Sequence, residues 1–289
     1  MTAVTIPIAN DEKIVAQNVN KYFYVKQNDE NKATEFVAVK DFNLTVRKGE
    51  FLTIVGPSGC GKSTFLDIVA GLTHPTSGEV YIDGKLITGP ALDRGIVLQG
   101  YALFPWRTIR KNVEFGLEIK GIPKRDRVDI SQKYLNLVGL QGFDDRYPYQ
   151  LSGGMKQRVA IARALAYDPE VLLMDEPFAA VDAQTRETLQ DELLRIWEET
   201  HKTIIFITHS IDEAIFLADR VAVMTANPGT LKEIVEINLP RPRNDGVRSS
   251  TEFGWIRHKV WELLHDENGA QKVSDNQDVA EAISPSAAL

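Results

Sequence analysis

A short apolar strand that runs straight into a glycine-rich turn and then a helix leaves a chain few folds to choose from. Phe51-Leu52-Thr53-Ile54-Val55 is β-branched and apolar, as a buried strand is, and Phe65-Leu66-Asp67-Ile68-Val69-Ala70 reads as a helix stopped by Gly71. Between them, Gly56-Pro57-Ser58-Gly59-Cys60-Gly61-Lys62-Ser63-Thr64 fits G-x-x-x-x-G-K-[ST]. Glycines in such a loop let backbone N–H groups curl round phosphate oxygens, while Lys62 reaches the β and γ phosphates and the Ser63 hydroxyl is a ligand for Mg²⁺. The strand-loop-helix order also aims the positive end of the helix dipole at the anion. A glycine turn that merely precedes a lysine needs neither flank.

Composition bounds the rest. The 289 residues suffice for one large α/β domain, and 43% of them are hydrophobic, enough for a sizeable core. A net charge of -7, with no basic run, gives nucleic acid no electrostatic reason to bind. The single cysteine, Cys60, excludes an internal disulfide or a multi-cysteine zinc site and fits a reducing compartment. No apolar run approaches the roughly 18 residues of a membrane span, and Met1 to Asn10 lacks the pattern of a secretory signal. A membrane role is therefore expected to run through a partner.

Before the loop the chain reads as strands: Ile14 to Val19, Tyr22 to Val25, Phe36 to Val39 and Phe42 to Val46, with Lys26 to Thr34 as a hairpin loop. One of the aromatics Tyr22, Phe23 and Tyr24 can stack on a base, but alternation does not choose among them, and packing on a strand face is an equal use for each. After the loop, Asp83-Gly84 between Glu79 to Ile82 and Lys85 to Ile87 is a two-residue hairpin signal. Gly95 to Leu98 is a further strand that ends in Gln99, at the edge where α/β nucleotide domains bind ligands. From Tyr101 the pattern turns helical, over Thr108 to Lys120 and Pro123 to Leu140, forming an insertion of about residues 101–166 with Phe104-Pro105-Trp106 at its start.

Leu151-Ser152-Gly153-Gly154-Met155 opens a helix to about Tyr167, with Ser152 as N-cap and two glycines baring the first backbone donors. This is a second anion-ready helix start in a chain with one phosphate loop, which suggests service to another chain's nucleotide. Val171 to Met174 is a buried strand that ends in Asp175-Glu176. The aspartate falls beside a Mg²⁺ on Ser63, and the glutamate can orient and deprotonate a water. Asp182 leads into the helix Ala183 to Thr200. His209 ends the strand Thr203 to Thr208 at the edge shared with Gln99 and Asp175, where contact with a γ-phosphate is the better use for it. Ser210-Ile211-Asp212-Glu213 reads as a capping box. Val221 to Met224 and Leu231 to Leu239 close the core at Pro240-Arg241-Pro242-Arg243. An amphipathic helix is expected within residues 244–266, packing back on the domain, and a disordered tail over 267–289.

In this order the phosphate loop, Gln99, Leu151 to Arg158, Asp175-Glu176, Asp182 and His209 resemble the nucleotide-binding subunits of ATP-binding cassette transporters. The resemblance spans about Val15 to Pro242. It implies an α/β fold: a phosphate-loop NTPase core with a mostly parallel sheet, an N-terminal antiparallel β subdomain and a helical insertion carrying the signature, within a domain of residues 12–243. It also implies an ATPase using ATP and Mg²⁺. Two chains would form a head-to-tail homodimer, each nucleotide held between residues 56–64 of one chain and Ser152, Gly153 and Gly154 of the other. Phe23 falls where the family stacks the base, Tyr22 being the nearest alternative. Glu176 would be the general base, His209 and Lys62 would hold the phosphate, and Ser63, Gln99 and Asp175 would face the metal. Gly100 and Ala179-Ala180-Val181 depart from the usual acidic residue and Ser-Ala-Leu, changes that leave ATPase activity expected.

Leu103 to Trp106, Asn227-Pro228-Gly229 and Pro240 to Arg243 further resemble the branch that imports nitrate, sulfonate, taurine or bicarbonate. That implies permease subunits in the membrane, a substrate-binding protein and a place on the cytoplasmic face of the inner membrane. A soluble cassette ATPase acting on nucleic acid or ribosomes would carry two cassettes, a coiled coil or basic extensions. A switch GTPase would show Asn-Lys-x-Asp. This chain has none of these. An exporter is disfavoured only by the absence of fused spans.

Overall fold

The computed structural model describes residues 5–26 and 33–265. Most of the Lys26 to Thr34 hairpin loop, and the tail expected over 267–289, lie outside these residues. The fold is α/β, built on two sheets. An antiparallel sheet of order β2-β1-β4-β5 comprises β1 (Glu12–Lys26), β2 (Ala33–Arg47), β4 (Ser77–Ile82) and β5 (Lys85–Leu86). A six-stranded sheet of order β10-β9-β3-β8-β7-β6 comprises β3 (Phe51–Val55), β6 (Arg94–Val97), β7 (Val171–Asp175), β8 (Thr203–Ile207), β9 (Arg220–Met224) and β10 (Leu231–Glu236). Five of its strands are parallel, and β10 joins β9 antiparallel at one edge.

The parallel strands are buried on both faces and therefore read as unbroken apolar runs. Phe51, Leu172, Met174, Ile204 and Phe206 point to one core, while Leu52, Ile54, Val171, Leu173, Ile205 and Ile207 point to the other. Each such side chain contributes about 1.5–3 kcal/mol on burial. The first core lies under α5 (Gly153–Ala166), α6 (Ala183–Thr200) and α7 (Ile211–Leu217). The second joins α1 (Lys62–Ala70) to the antiparallel sheet. Asp83 and Gly84 take φ 49° and 72°, so the hairpin between β4 and β5 has the left-handed pair that Asp-Gly favours.

Three local expectations are corrected. The four short N-terminal strands are two long ones, β1 and β2, which bend at register shifts instead of breaking. Asn18 (φ 48°) and Asp41 (φ 45°) take the left-handed turns. Asn20 pins the bends together, with Nδ2 donating to Asp41 Oδ1 at 3.2 Å and Oδ1 accepting from the Asp41 amide at 2.9 Å. The helix expected over Thr108 to Lys120 is two, α2 (Ile109–Val113) and α3 (Phe115–Ile119), which meet at the buried Glu114. Between these and α5 the insertion adds α4 (Lys124–Leu137). Ser210 caps α7, accepting from the Glu213 amide at 3.3 Å, but Glu213 does not complete the box. Its carboxylate turns inward to Thr208 and Gln190, and the Ser210 amide donates to Thr208 Oγ1 instead.

Pro240 to Arg243 does more than end the core. The buried Arg243 guanidinium donates to the carbonyls of Ile215, Phe216, Ala218 and Ile237, closing the C-terminal end of α7. Burial, with Arg241 nearby, pushes its pKa down to about 10. Beyond it come α8 (Asp245–Arg248) and a helix, α9, over residues 251–265, whose Phe253 and Val260 enter the first core. Among the described residues no helix is long and apolar enough to cross a membrane.

Candidate functional site

The phosphate loop leaves the carboxyl end of β3, the central strand, and turns into α1 at Gly61, whose φ of 92° no other residue type adopts cheaply. Its glycines have different reasons to be there. A Cβ on Gly61 would lie 2.4 Å from Ala38 O, and one on Gly56 would lie 2.7 Å from Cys60 Sγ and 2.9 Å from Met224 O, so these two let the loop sit tight on the protein below. Gly59, at φ 77°, would meet nothing within 4 Å and faces outward. Pro57, Ser58 and Gly59 are exposed, and Thr64 is half-buried in the first turn. The buried Cys60 thiol is a floor to the loop, its pKa raised by burial against the pull of Lys62. No side chain caps α1, so its first amides, which have no acceptor inside the helix, are left for a ligand.

Lys62 Nζ donates to Gly56 O and Pro57 O, both at 2.9 Å, which folds the ammonium over the loop. Ser63 Oγ donates to Asp175 Oδ1 at 3.1 Å, joining α1 to the end of β7. Burial raises the Asp175 carboxyl above the usual range, with the Ser63 hydrogen bond and the charges of Lys62 and His209 pulling it back. A hydroxyl and a carboxylate side by side form an all-oxygen pair that suits Mg²⁺, which takes few protein ligands and fills its octahedron with phosphate and water. Among the described residues no cluster of three or more His, Cys, Asp or Glu side chains could hold a metal without such help.

Glu176 follows with φ 43°, a left-handed turn that costs about 1–3 kcal/mol and marks functional sites. Its amide donates to Ile207 O at 3.0 Å, fastening it to β8. The turn brings the carboxylate between two neighbours: His209 Nε2 is 2.5 Å from Oε1, and Gln99 Nε2 donates to Oε2 at 3.4 Å. The carboxyl ends of β6, β7 and β8 thus bring Gln99, Asp175, Glu176 and His209 to the edge where α1 begins.

Ser152, Gly153 and Gly154 stand apart. Among the described residues no hydrogen bond or ion pair joins residues 151–155 to residues 56–64. Ser152 is exposed and caps its own helix, accepting from the Met155 amide at 3.3 Å. Asp182 does the same for α6, accepting from the Thr185 amide at 3.0 Å, which holds its carboxyl below the usual range. Phe23 is 41% exposed on β1 with Lys21 Nζ 5.2 Å from its ring centre, whereas Tyr22 is half-buried.

Comparison with known proteins places the chain in a family. A family profile described as ABC transporter matches residues 39–179. An uncharacterized ABC transporter ATP-binding protein of Methanocaldococcus jannaschii, MJ0412, is 56% identical over 255 residues, 88% of this chain and 92% of its own length. The chain belongs to the ABC transporter family. Other relatives of the cassette carry transport names. The nitrate import ATP-binding protein NrtD of Synechocystis is 52% identical over 79% of this chain and 88% of its own length. The aliphatic sulfonates import ATP-binding protein SsuB of Bacillus cereus is 47% identical over 84% and 92%. The solved dimeric structure of MJ0796, a bacterial ABC transporter cassette, superposes with a TM-score of 0.68 at 35% identity, covering 78% of this chain and 99% of that one. A second structure of the same cassette, in a post-hydrolysis state bound to ADP and Pi, gives 0.67.

One residue of the cassette escaped sequence reasoning. Arg163, on α5, donates to Tyr101 O at 3.0 Å and Ala102 O at 2.6 Å, two left-handed residues just after Gln99. It ties the helix begun by Ser152 to the segment begun by Gln99. Only an arginine within the apolar run from Val159 to Ala166 hinted at it.

Proposed function

We propose that this chain is the ATP-hydrolysing subunit of a membrane importer, and that two copies split ATP at sites they share. The observation that carries the reading is the left-handed Glu176, its carboxylate between His209 and Gln99 beside the Ser63 and Asp175 pair. The triphosphate lies in the loop of residues 56–64, with Phe23 against the base. Lys62 gives up its two carbonyl acceptors for phosphate oxygens. Ser63 and Asp175, with Gln99 reaching in, would hold Mg²⁺, which neutralises phosphate charge when bound.

His209 Nε2 donates to Glu176 Oε1, and with Gln99 turned from Oε2 toward the metal, Oε2 is the oxygen that takes the proton of the attacking water. The water's oxygen then bonds to the γ-phosphorus, the bond to the β-phosphate oxygen breaks, and ADP and phosphate leave. Ser152, Gly153 and Gly154 of a second copy close the site from the other side, where the amides at their helix start face the developing charge. Asp182, exposed near the same edge, belongs to that closure.

The names of NrtD and SsuB support a small anion such as nitrate or a sulfonate as cargo, with taurine and bicarbonate in the same class. The partners are permease subunits with a substrate-binding protein, which sets the chain on the cytoplasmic face of the membrane. Trp106 supports the permease contact: it is 73% exposed, while Phe104 beneath it packs on Phe115 with centroids 4.6 Å apart.

Glu176→Gln tests the reading. The variant should bind ATP as wild type does and form a stable dimer in Mg-ATP by size exclusion. Its turnover should fall about 100- to 10,000-fold, the worth of a general base. Turnover near wild type would remove Glu176 from that role.

A further inference from the structure

The C-terminal segment reaches the catalytic edge through a chain of side-chain hydrogen bonds. Arg248, on α8, lays its guanidinium over the Phe216 ring, 3.5 Å from the centroid, and donates from Nη2 to Gln190 Oε1 at 2.6 Å. Gln190, on α6, donates from Nε2 to Glu213 Oε1 at 2.8 Å. Glu213, on α7, accepts at Oε2 from the Thr208 hydroxyl, and Thr208 Oγ1 accepts the Ser210 amide at 3.0 Å. Thr208 and Ser210 flank His209, so the last link is a clasp around the histidine.

The chain has a direction that chemistry imposes. A carboxylate only accepts and a guanidinium only donates, so Gln190 must turn its amide nitrogen to Glu213 and its oxygen to Arg248. With Glu213 accepting, the Thr208 hydroxyl must donate to it, which leaves a lone pair for the Ser210 amide. Gln190, Glu213 and Thr208 are 3%, 5% and 3% exposed, so bulk solvent competes little for the bonds between them. A cavity of about 460 Å³, with Arg248, Gln190 and Glu213 in its wall, lies over the middle of the chain. It leaves Arg248 the room to move that a rigid core would deny.

We propose that Arg248 is a positioning residue for hydrolysis, setting the loop that carries His209 through Gln190, Glu213 and Thr208. The cassette's C-terminal segment is thereby a control on turnover and not only a cover for the core. The proposal rests on the reading of His209 as a phosphate-side residue.

The test uses the full chain. Arg248→Met keeps the packing on Phe216 and removes the donor. The kcat for ATP hydrolysis should fall about tenfold, less than the roughly 100-fold cost of a full ångström of misplacement, with KM within about twofold of wild type. Arg248→Lys should recover part of the loss. Arg248→Met combined with Gln190→Leu should be no slower than Gln190→Leu alone, because both cut one chain. The ring resonances of His209, one of five histidines, should shift in Arg248→Met while those of His74 stay.

A folded Arg248→Met with wild-type kcat, or with kcat and KM changed together, overturns the proposal, as do unmoved His209 resonances. If Arg248→Met does not fold, Thr208→Val examines the other end of the chain: a tenfold loss that Thr208→Ser reverses supports the proposal, and wild-type kcat ends it. His209→Ala separates the two readings. If it keeps full turnover, the role given to His209 itself fails. If it loses turnover while Arg248→Met does not, only the positioning chain fails.

Discussion

The two helix starts that face outward, α1 and α5, are built on opposite plans. At α1 the cap is Gly61, no side chain satisfies the first amides, and a lysine and a serine in the first turn supply a charge and a metal ligand. At α5 the cap is Ser152, which accepts from its own Met155 amide, and the first positions of the helix are two glycines and a methionine where α1 has a lysine and a serine. On the proposed reading the first holds a phosphate by itself, and the second completes a site on a neighbouring copy. Both helices have the same dipole, so the dipole is not what separates them. The separation comes from whether the first turn spends its donors on itself and brings its own counter-charge.

If the second start completes a neighbour's site, damage to the two starts must differ in kind. Lys62→Met should lose nucleotide binding, while Ser152→Arg should keep it, and each alone should lower hydrolysis by at least about 100-fold. Mixed one to one, the two inactive variants should regain hydrolysis, since a mixed dimer pairs the intact loop of one with the intact serine-glycine tip of the other. Equilibrium nucleotide binding and phosphate release measure this. A mixture as dead as its components would break the comparison outright.

What could be read from the sequence divides along the same line. The loop, its strand and helix, the Asp83-Gly84 hairpin and the unbroken apolar runs of the parallel strands follow from neighbours in the chain, where spacing and residue type suffice. Features that depend on distant partners stayed hidden. Glu213 has the spacing of a capping box, yet its carboxylate is drawn inward by Thr208 and Gln190, the latter 23 residues away. Asn20-Lys21 and Lys40-Asp41 read as breaks between strands because nothing local says that Asn20 will pin two bends together. Nor does a sequence tell that Arg243 will be buried against four carbonyls, or that Arg163 will hold the turn after Gln99. Gln99, Asp175, Glu176 and His209 were legible as polar strand ends with roles to match, but the left-handed turn at Glu176 that gathers them was not.

The next effect down separates stability from activity at the first start. Burial raises the folded-state pKa of Asp175, so the folded protein holds that proton more tightly than the unfolded chain does. The ionised carboxylate therefore costs stability at neutral pH, and the cost fades as pH falls through the raised value. Asp175→Asn should raise the thermal midpoint at pH 7, gain nothing at acid pH, and lose Mg-dependent hydrolysis. A midpoint that falls at pH 7 would mean that the Ser63 hydrogen bond and the Lys62 charge outweigh burial, and that the first start is not strained in the absence of ligand.

The smallest effect bears on the second start alone. Ser152 accepts the Met155 amide at 3.3 Å, long for such a bond. Ser152→Ala removes the only side-chain cap of α5 and should cost about 0.5–2 kcal/mol, toward the lower end because the bond is long, whereas glycine in its place should cost only a few tenths. Ser152→Gly would give α5 a start like that of α1, uncapped and with its first amides free. The urea midpoint with an unchanged m-value reads the stability difference. If Ser152→Gly is as costly as Ser152→Ala, side-chain capping is not what sets the second start apart, and the reason must lie in the two glycines. A Cβ on Gly154 would meet Thr185 Cγ2 at 2.6 Å, so that glycine brings α5 hard against α6 regardless of any ligand. A Cβ on Gly153 would meet the Tyr101 hydroxyl at 3.0 Å and Ala180 O at 3.7 Å. On the proposed reading it is Gly153, of the two, that would give way to a neighbour's phosphate, since the group in its way is the far end of a side chain.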